Sequence, residues 1–216
     1  MRATRRTAGQ RHAIVRHCLS LTSYPPRDFA MNPASPPLFL DQYAQALSRG
    51  DHDEALAVLQ QARDAQPDSA QVLALLAAHH MQQGEADAAE AAFIGALQRD
   101  PELATTRFQL GLLQFTSARP LAAFQTWQPL ESLGDRHCLV LFKRAFAALA
   151  IDAFDDALLL LDQGIALNDD NAPLNHDMRM VAAHIQSLRA DPGATPPAEQ
   201  DEAATQFVLA SYKQNL

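Results

Sequence analysis

The sequence is poor in several features that would assign it to a well-defined class. It has two cysteines, Cys18 and Cys138, which are too few for a disulfide framework and are typical of a reducing compartment. It has no run of about 20 apolar residues, the length that a membrane-spanning helix needs. Its formal net charge of −8 argues against general nucleic-acid binding, which requires a basic face. These absences predict a cytoplasmic protein without a membrane span or a nucleic-acid partner.

What the sequence does have is an internal repeat of 34 residues. Alanine recurs at this interval, and a large apolar residue follows each alanine by four positions. Seven positions after the alanine the residue is small in three units of four. The recurring residues are the alanines Ala55, Ala89, Ala123 and Ala157, the large residues Leu59, Phe93, Trp127 and Leu161, and the small residues Ala62, Ala96 and Gly164. Gly50 and Gly84 precede the first two alanines, and Pro67 and Pro101 follow them. A small residue, an apolar stripe at helical spacing and a proline stop predict repeated helical units.

The spacing and residue types resemble the tetratricopeptide repeat, a family whose 34-residue unit is a pair of antiparallel helices. The resemblance covers about residues 36–171. It implies an all-α fold, a right-handed superhelix of about four helix pairs with a capping helix. The predicted segments are an N-terminal extension at 1–35, units at 36–69, 70–103, 104–137 and 138–171, the capping helix at 172–189, a linker at 190–199 and an amphipathic helix at 200–216.

The third and fourth units depart from this pattern. Asp135 and Asp169 replace the terminal proline, and Arg144 stands where the first helix should have an apolar residue. Pro129 falls inside the predicted second helix of the third unit, where it removes a backbone hydrogen bond. We therefore expect that helix to kink or end near Pro129.

The N-terminal extension differs in charge from the rest of the chain. Residues 1–30 contain six arginines and one acid, a net charge of +5, and lead into a proline-rich stretch. Three interpretations stay open: a true start at Met31 with an over-extended gene start before it, a disordered basic tail, or a targeting peptide. The excess of arginine over lysine in the whole chain indicates a GC-rich bacterial genome.

In the tetratricopeptide family the first helix of each pair lines the inner face, and the resemblance implies that this face binds the partner. The inward positions carried over to this sequence are apolar. The predicted peptide-binding groove consists of Ala78, Met81, Phe108, Leu112, Phe115, Phe142, Phe146 and Met180. An apolar groove with methionines suits an amphipathic helix or an extended apolar peptide. The alternative for the four phenylalanines is that they only pack neighbouring helices together.

The C-terminal helix has an apolar side of its own, with Phe207, Val208 and Tyr212. An isolated helix of this length is marginal in water, so it needs a surface to dock on. Three sites of docking stay open: the groove of its own chain, a second copy in a homodimer, and the last repeat.

No group of residues suits catalysis, a cofactor or a metal. His79 and His80 are adjacent on a predicted helix, so their side chains diverge by about 100°. For His137 and Cys138, which lack a second cysteine pair or a spaced histidine, a structural role is favoured. Asp152, with the acids after it, is interpreted as a solvated turn and N-cap. We therefore predict that the protein is not an enzyme.

The predicted function is an interaction module, an adaptor or assembly chaperone, that binds an apolar helical or extended segment of a partner protein. Two alternatives stay open: a secretion-type chaperone for apolar substrates, and a structural component of an envelope or pilus assembly complex.

Overall fold

The structure is a computed structural model that describes residues 38–190, with side chains described as far as residue 187. Within this range the regular structure is helical, in agreement with the predicted all-α repeat fold. The α-helices are α1 (Leu38–Ser48), α2 (His52–Ala65), α3 (Ala70–Gln82), α4 (Ala86–Arg99), α5 (Ala104–Thr116), α6 (Pro120–Trp127), α7 (Cys138–Ala150), α8 (Phe154–Ala166) and α9 (Ala172–Ala190). The predicted N-terminal extension, the linker beyond residue 190 and the helix at 200–216 lie outside the described residues.

The described residues divide into two compact units. The N-terminal unit comprises residues 38–106 and the C-terminal unit residues 107–190. None of the helices within 38–190 combines the length and the apolar character that crossing a membrane requires.

Each first helix ends in the same turn, which recurs every 34 residues. Gly50, Gly84, Ala118 and Asp152 have φ angles of 71°, 73°, 59° and 62° and form the left-handed position after α1, α3, α5 and α7. The amide after each of them donates to a carbonyl five residues back, as in Asp51 N to Ala46 O at 3.0 Å and Ala153 N to Ala148 O at 2.9 Å. This is the Schellman pattern, which satisfies the last carbonyls of a helix. The turn lets the next helix begin after three residues and pack back on the first.

In the N-terminal unit the repeating small and large residues form the core. Ala55 and Leu59 of α2 are fully buried and belong to one cluster with Tyr43 of α1 and Leu75 of α3. Local caps position these helices: Asp51 accepts a hydrogen bond from the amide of Glu54, and Ser69 accepts one from the amide of Val72. Each cap satisfies an amide that the helix itself leaves without a partner.

The third pair departs from regular geometry at Pro129, as its chemistry predicts. The α-helix α6 begins with Pro120 at its first turn and ends at Trp127 after 8 residues. A 3-10 helix, Gln128–Leu133, continues the chain and has Pro129 at its start. Proline has no amide hydrogen and its ring collides with the preceding turn, so α-helical hydrogen bonding cannot continue through it.

The fourth pair corrects one expectation. The N-cap of α8 is Ala153, which makes no side-chain capping bond, and Asp152 instead forms the left-handed turn position. Asp155 and Asp156 lie in the first turn of α8, where negative charge is favourable beside the helix N-terminus.

A close contact between Gly111 and Trp127 joins the helices of the third pair. The Trp127 ring is fully buried, and its Nε1–H donates to the backbone oxygen of Phe108 at 2.9 Å. A Cβ added at Gly111 would lie 2.1 Å from Nε1 of Trp127. Glycine is therefore required at position 111 for the indole to lie against α5.

We predict that Gly111→Ala destabilises the protein. Overpacking against the indole costs about 1–3 kcal/mol, which exceeds the roughly 0.5–1 kcal/mol that alanine gains over glycine in a helix. The measurement is denaturant unfolding followed by circular dichroism.

The matched control for this prediction is Gly95→Ala in α4. There the nearest atom to an added Cβ is Cδ1 of Leu73 at 3.4 Å, an ordinary contact. This variant should be as stable as the wild type or more stable. Equal stability of the two alanine variants would contradict the account of Trp127.

We also predict that Ala118→Gly stabilises the protein by about 1 kcal/mol, because a left-handed conformation strains every residue with a Cβ. Ala118 is exposed, so the change removes little packing. Ala147→Gly, at an exposed position inside α7, is the control and should lose about 0.5–1 kcal/mol. Thermal unfolding of the two variants should give shifts of opposite sign, and a loss of stability in both would refute the prediction.

Candidate partner-binding surface

The residues predicted to line the groove are mostly inaccessible to solvent. Those that the structure buries are Ala78, Met81, Phe108, Leu112, Phe115, Phe142 and Phe146. Met180 of α9 is half-buried. Phe207, Val208 and Tyr212, predicted to dock, lie outside the described residues.

The four phenylalanines form one aromatic cluster with Trp127 and Phe124 in the C-terminal unit. The ring centroids of Phe115 and Phe146 are 5.4 Å apart in an edge-on arrangement, and those of Phe108 and Trp127 are 5.6 Å apart and stacked. Phe142 lies 6.1 Å from Phe108. Rings at these separations attract one another in addition to the surface that they bury. The structure thus gives the four rings a packing role, and their contact with a partner stays a prediction that would require them to leave the cluster.

Phe142 depends on a glycine in the way that Trp127 does. A Cβ added at Gly164 of α8 would lie 2.4 Å from Cε1 of Phe142. Gly164 is the small residue of the fourth unit in the sequence repeat, so the repeat marks this contact. Gly111 is not among the recurring small residues noted in the sequence. The sequence signal for the contact at Gly111 is a single glycine inside a predicted helix. Glycine is unfavourable at such a position, so close packing against it is one explanation for its presence.

An ion-pair network connects the 3-10 helix to α7. Glu131 accepts from Lys143 Nζ at 2.6 Å and from an Arg144 nitrogen at 3.1 Å, and the same Arg144 nitrogen lies 2.6 Å from Asp135. The hydrogen bond from Lys143 holds the pKa of Glu131 below its usual value, and the bond to Asp135 raises the pKa of Arg144. Lys143 Nζ also donates to the backbone oxygen of Trp127 at 3.4 Å. Arg144, which breaks the repeat pattern in the sequence, therefore has a structural partner.

The most exposed large apolar side chains of the C-terminal unit lie beside the left-handed turns. Leu121, in the first turn of α6, is 79% exposed, and Ile151, directly before Asp152, is 75% exposed. The positions one and two repeats before Leu121 are Asp87 and Asp53. We call Leu121 and Ile151 the apolar turn edge; sequence reasoning that followed only the first helices missed it.

The equivalent edge of the N-terminal unit is polar. The positions that correspond to Ile151 in the first two repeats are Arg49 and Gln83. Arg49 forms an ion pair with Glu54, and the Gln83 side chain lies 3.0 Å from His52. The two units therefore present turns of different chemistry to solvent.

The other sequence candidates have structural surroundings. His137 caps α7, since its Nδ1 accepts a hydrogen bond from the amide of Leu139. Burial raises the pKa of the Cys138 thiol, which opposes formation of a reactive thiolate. Within the described part of the chain, no three His, Cys, Asp or Glu residues lie where they could hold a metal ion together.

These features define an all-α helical repeat protein, built from pairs of helices on a 34-residue period. The tetratricopeptide repeat family model matches residues 46–111. The match confirms the resemblance seen in the sequence over these residues, which include α2, α3 and α4. No curated protein matches the chain. The matched residues end before α6, the helix that Pro129 shortens.

Proposed function

We propose that this protein is an interaction module, an adaptor or assembly chaperone, that binds an apolar helical or extended segment of a partner protein. Tetratricopeptide repeats in general mediate contacts between proteins, and stacked repeats provide extended binding surfaces. The alternatives to this proposal are a secretion-type chaperone for apolar substrates and a structural component of an envelope or pilus assembly complex.

The observation that carries the proposal is the apolar turn edge. Each left-handed turn of the C-terminal unit has one exposed large apolar residue near it: Leu121 lies three residues after Ala118, and Ile151 lies directly before Asp152. The N-terminal unit has charged or polar residues at the corresponding positions. Covering these two side chains with apolar groups of a partner would be favourable, because it would remove their surface from water.

The first-helix face is the second candidate surface. Met180 is half-buried, so it is the member of the predicted groove with side-chain surface in contact with solvent. Methionine adapts its shape to different apolar partners. On this face the residues 200–216, with Phe207 and Tyr212, would compete with a partner.

We predict that peptide-display selection against the full chain enriches peptides with apolar residues at helical or alternating spacing. The double variant Leu121→Ser with Ile151→Ser should bind the selected peptides at least about tenfold more weakly, since each lost apolar contact removes roughly 1 kcal/mol or more. The measurement is fluorescence anisotropy with labelled synthetic peptides.

The matched control is Leu159→Ser, which replaces an exposed leucine in the middle of α8 and should leave the affinity unchanged. A loss of affinity in Met180→Gln alone would assign binding to the first-helix face. Tighter binding by Phe207→Ser with Tyr212→Ser would show that the C-terminal segment competes. Selection of charged peptides, or of none, would contradict the proposed function.

A further inference from the structure

Three histidines lie together in the N-terminal unit. The ring centroid of His79 is 6.2 Å from that of His52 and 6.3 Å from that of His80. His79 and His80 belong to α3, and His52 is the first residue of α2. We call these three residues the histidine cluster. The repeat fold itself does not explain it, because tetratricopeptide packing needs apolar and small residues at such positions.

His79 is the buried member of this cluster. Its side chain is 1% exposed, and its Nδ1 has no hydrogen-bond partner. The Tyr43 ring of α1 contacts it edge-on, with ring centroids 6.0 Å apart. A residue of α3 thus contacts rings from α1 and α2, and its Nδ1 has no hydrogen bond to stabilise an added charge. A buried polar atom without a partner is costly, and a buried charge is more so.

The groups around His79 oppose its protonation. Burial lowers the pKa of His79 most, and the neighbouring His52 and His80 lower it further. Glu85 acts in the opposite direction, but its carboxylate is half exposed and already bonded to Nδ1 of His80 at 2.6 Å. The titratable groups that face His79 are thus Tyr43 from α1, His52 from α2, and His80 and Glu85 from α3 and the turn after it.

We propose that the histidine cluster is an acid-sensitive contact, at which protonation of His79 loosens the packing of α1 and α2 on α3 while the C-terminal unit keeps its fold. The added charge would have two sources of unfavourable energy: the loss of water and repulsion by His52 and His80. Tyr43 and His52 belong to the two helices that would separate from α3.

The sign of the pH dependence follows from the lowered pKa. The unfolded chain binds a proton at His79 more readily than the folded unit does, so acid favours the open form. The stability contributed by neutral His79 is complete above pH 6.5, the ordinary histidine pKa. It is lost as the pH falls from there towards the lower pKa that His79 has in the folded unit.

The C-terminal unit contains a buried group with the opposite response. Burial raises the pKa of Asp177 in α9 well above its usual value. The stability that the protonated Asp177 carboxyl contributes is present at low pH. It is lost as the pH rises through the raised pKa that Asp177 has in the folded unit. Mild acid should therefore not weaken the C-terminal unit through Asp177.

The test is hydrogen–deuterium exchange of the full chain at several pH values between 7.5 and 5.0, corrected for the intrinsic exchange rate. Below pH 6.5, the opening equilibrium of α1–α3 should rise by up to about tenfold per pH unit, as one added proton requires. Exchange in α7 and α8 should show no such rise. The fluorescence of Trp127, the single tryptophan, should also stay constant.

The key variant is His79→Phe, which keeps a ring beside Tyr43 and cannot take up a proton. Its exchange in α1–α3 should lose the dependence on pH. If this variant fails to fold, His52→Gln and the wild type decide the question. His52→Gln removes one group that lowers the pKa of His79, so the total loosening between pH 7.5 and 5.0 should be smaller than in the wild type. An NMR titration should show the His79 ring of the wild type protonating below the ordinary histidine range.

The proposal is overturned if His79→Phe keeps the pH dependence of the wild type, or if both units loosen together. It is also overturned if the His79 ring titrates at or above the ordinary histidine value. These outcomes are independent of peptide binding, so they leave the proposed interaction function unaffected.

Discussion

The constraint on which the helix pairs depend is that a large side chain must have a small one opposite it. In the third pair the small residue is Gly111 on the first helix and the large ring is Trp127 on the second. In the fourth pair the order is reversed, with Phe142 on the first helix and Gly164 on the second. Interiors are close-packed, so neither ring fits if its glycine gains a methyl group. The aromatic cluster that stabilises the C-terminal unit depends on both of these contacts.

The departures from the repeat pattern compensate one another. Pro129 ends α6 early and leaves a 3-10 helix in place of the last α-helical turns. Arg144 and Lys143, both in α7, then bind Glu131 of that 3-10 helix. The repeat that loses regular helix geometry is therefore connected by charge to the repeat that loses an apolar residue. This pairing explains why a basic side chain at position 144 is compatible with the fold.

The period of 34 residues was enough to predict the helix pairs, because small, large and turn residues recur in register. The early end of α6 was also predictable, because Pro129 interrupts a helix through its own backbone. Gly50 and Gly84 are the residue type that a left-handed turn favours, whereas Asp152 is a weaker signal for that conformation and Ala118 is none. The roles of Phe108 and Phe146 were not decided by sequence, because a ring on a first helix either faces a partner or a neighbouring ring. That choice depends on Trp127 and Gly111, which come together only in the folded unit. The apolar turn edge was missed because Leu121 and Ile151 lie outside the inward positions of the family pattern.

The measurement that tests the central claim most directly is a double-mutant cycle between positions 111 and 127. Free energies of unfolding would be compared for the wild type, Gly111→Ala, Trp127→Phe and the double variant. If glycine is needed because of the indole, the smaller phenylalanine ring should remove much of the alanine penalty, with a coupling of about 1 kcal/mol or more. Penalties that add within about 0.5 kcal/mol would contradict the account, because the alanine would then destabilise the helix pair for a reason unrelated to Trp127.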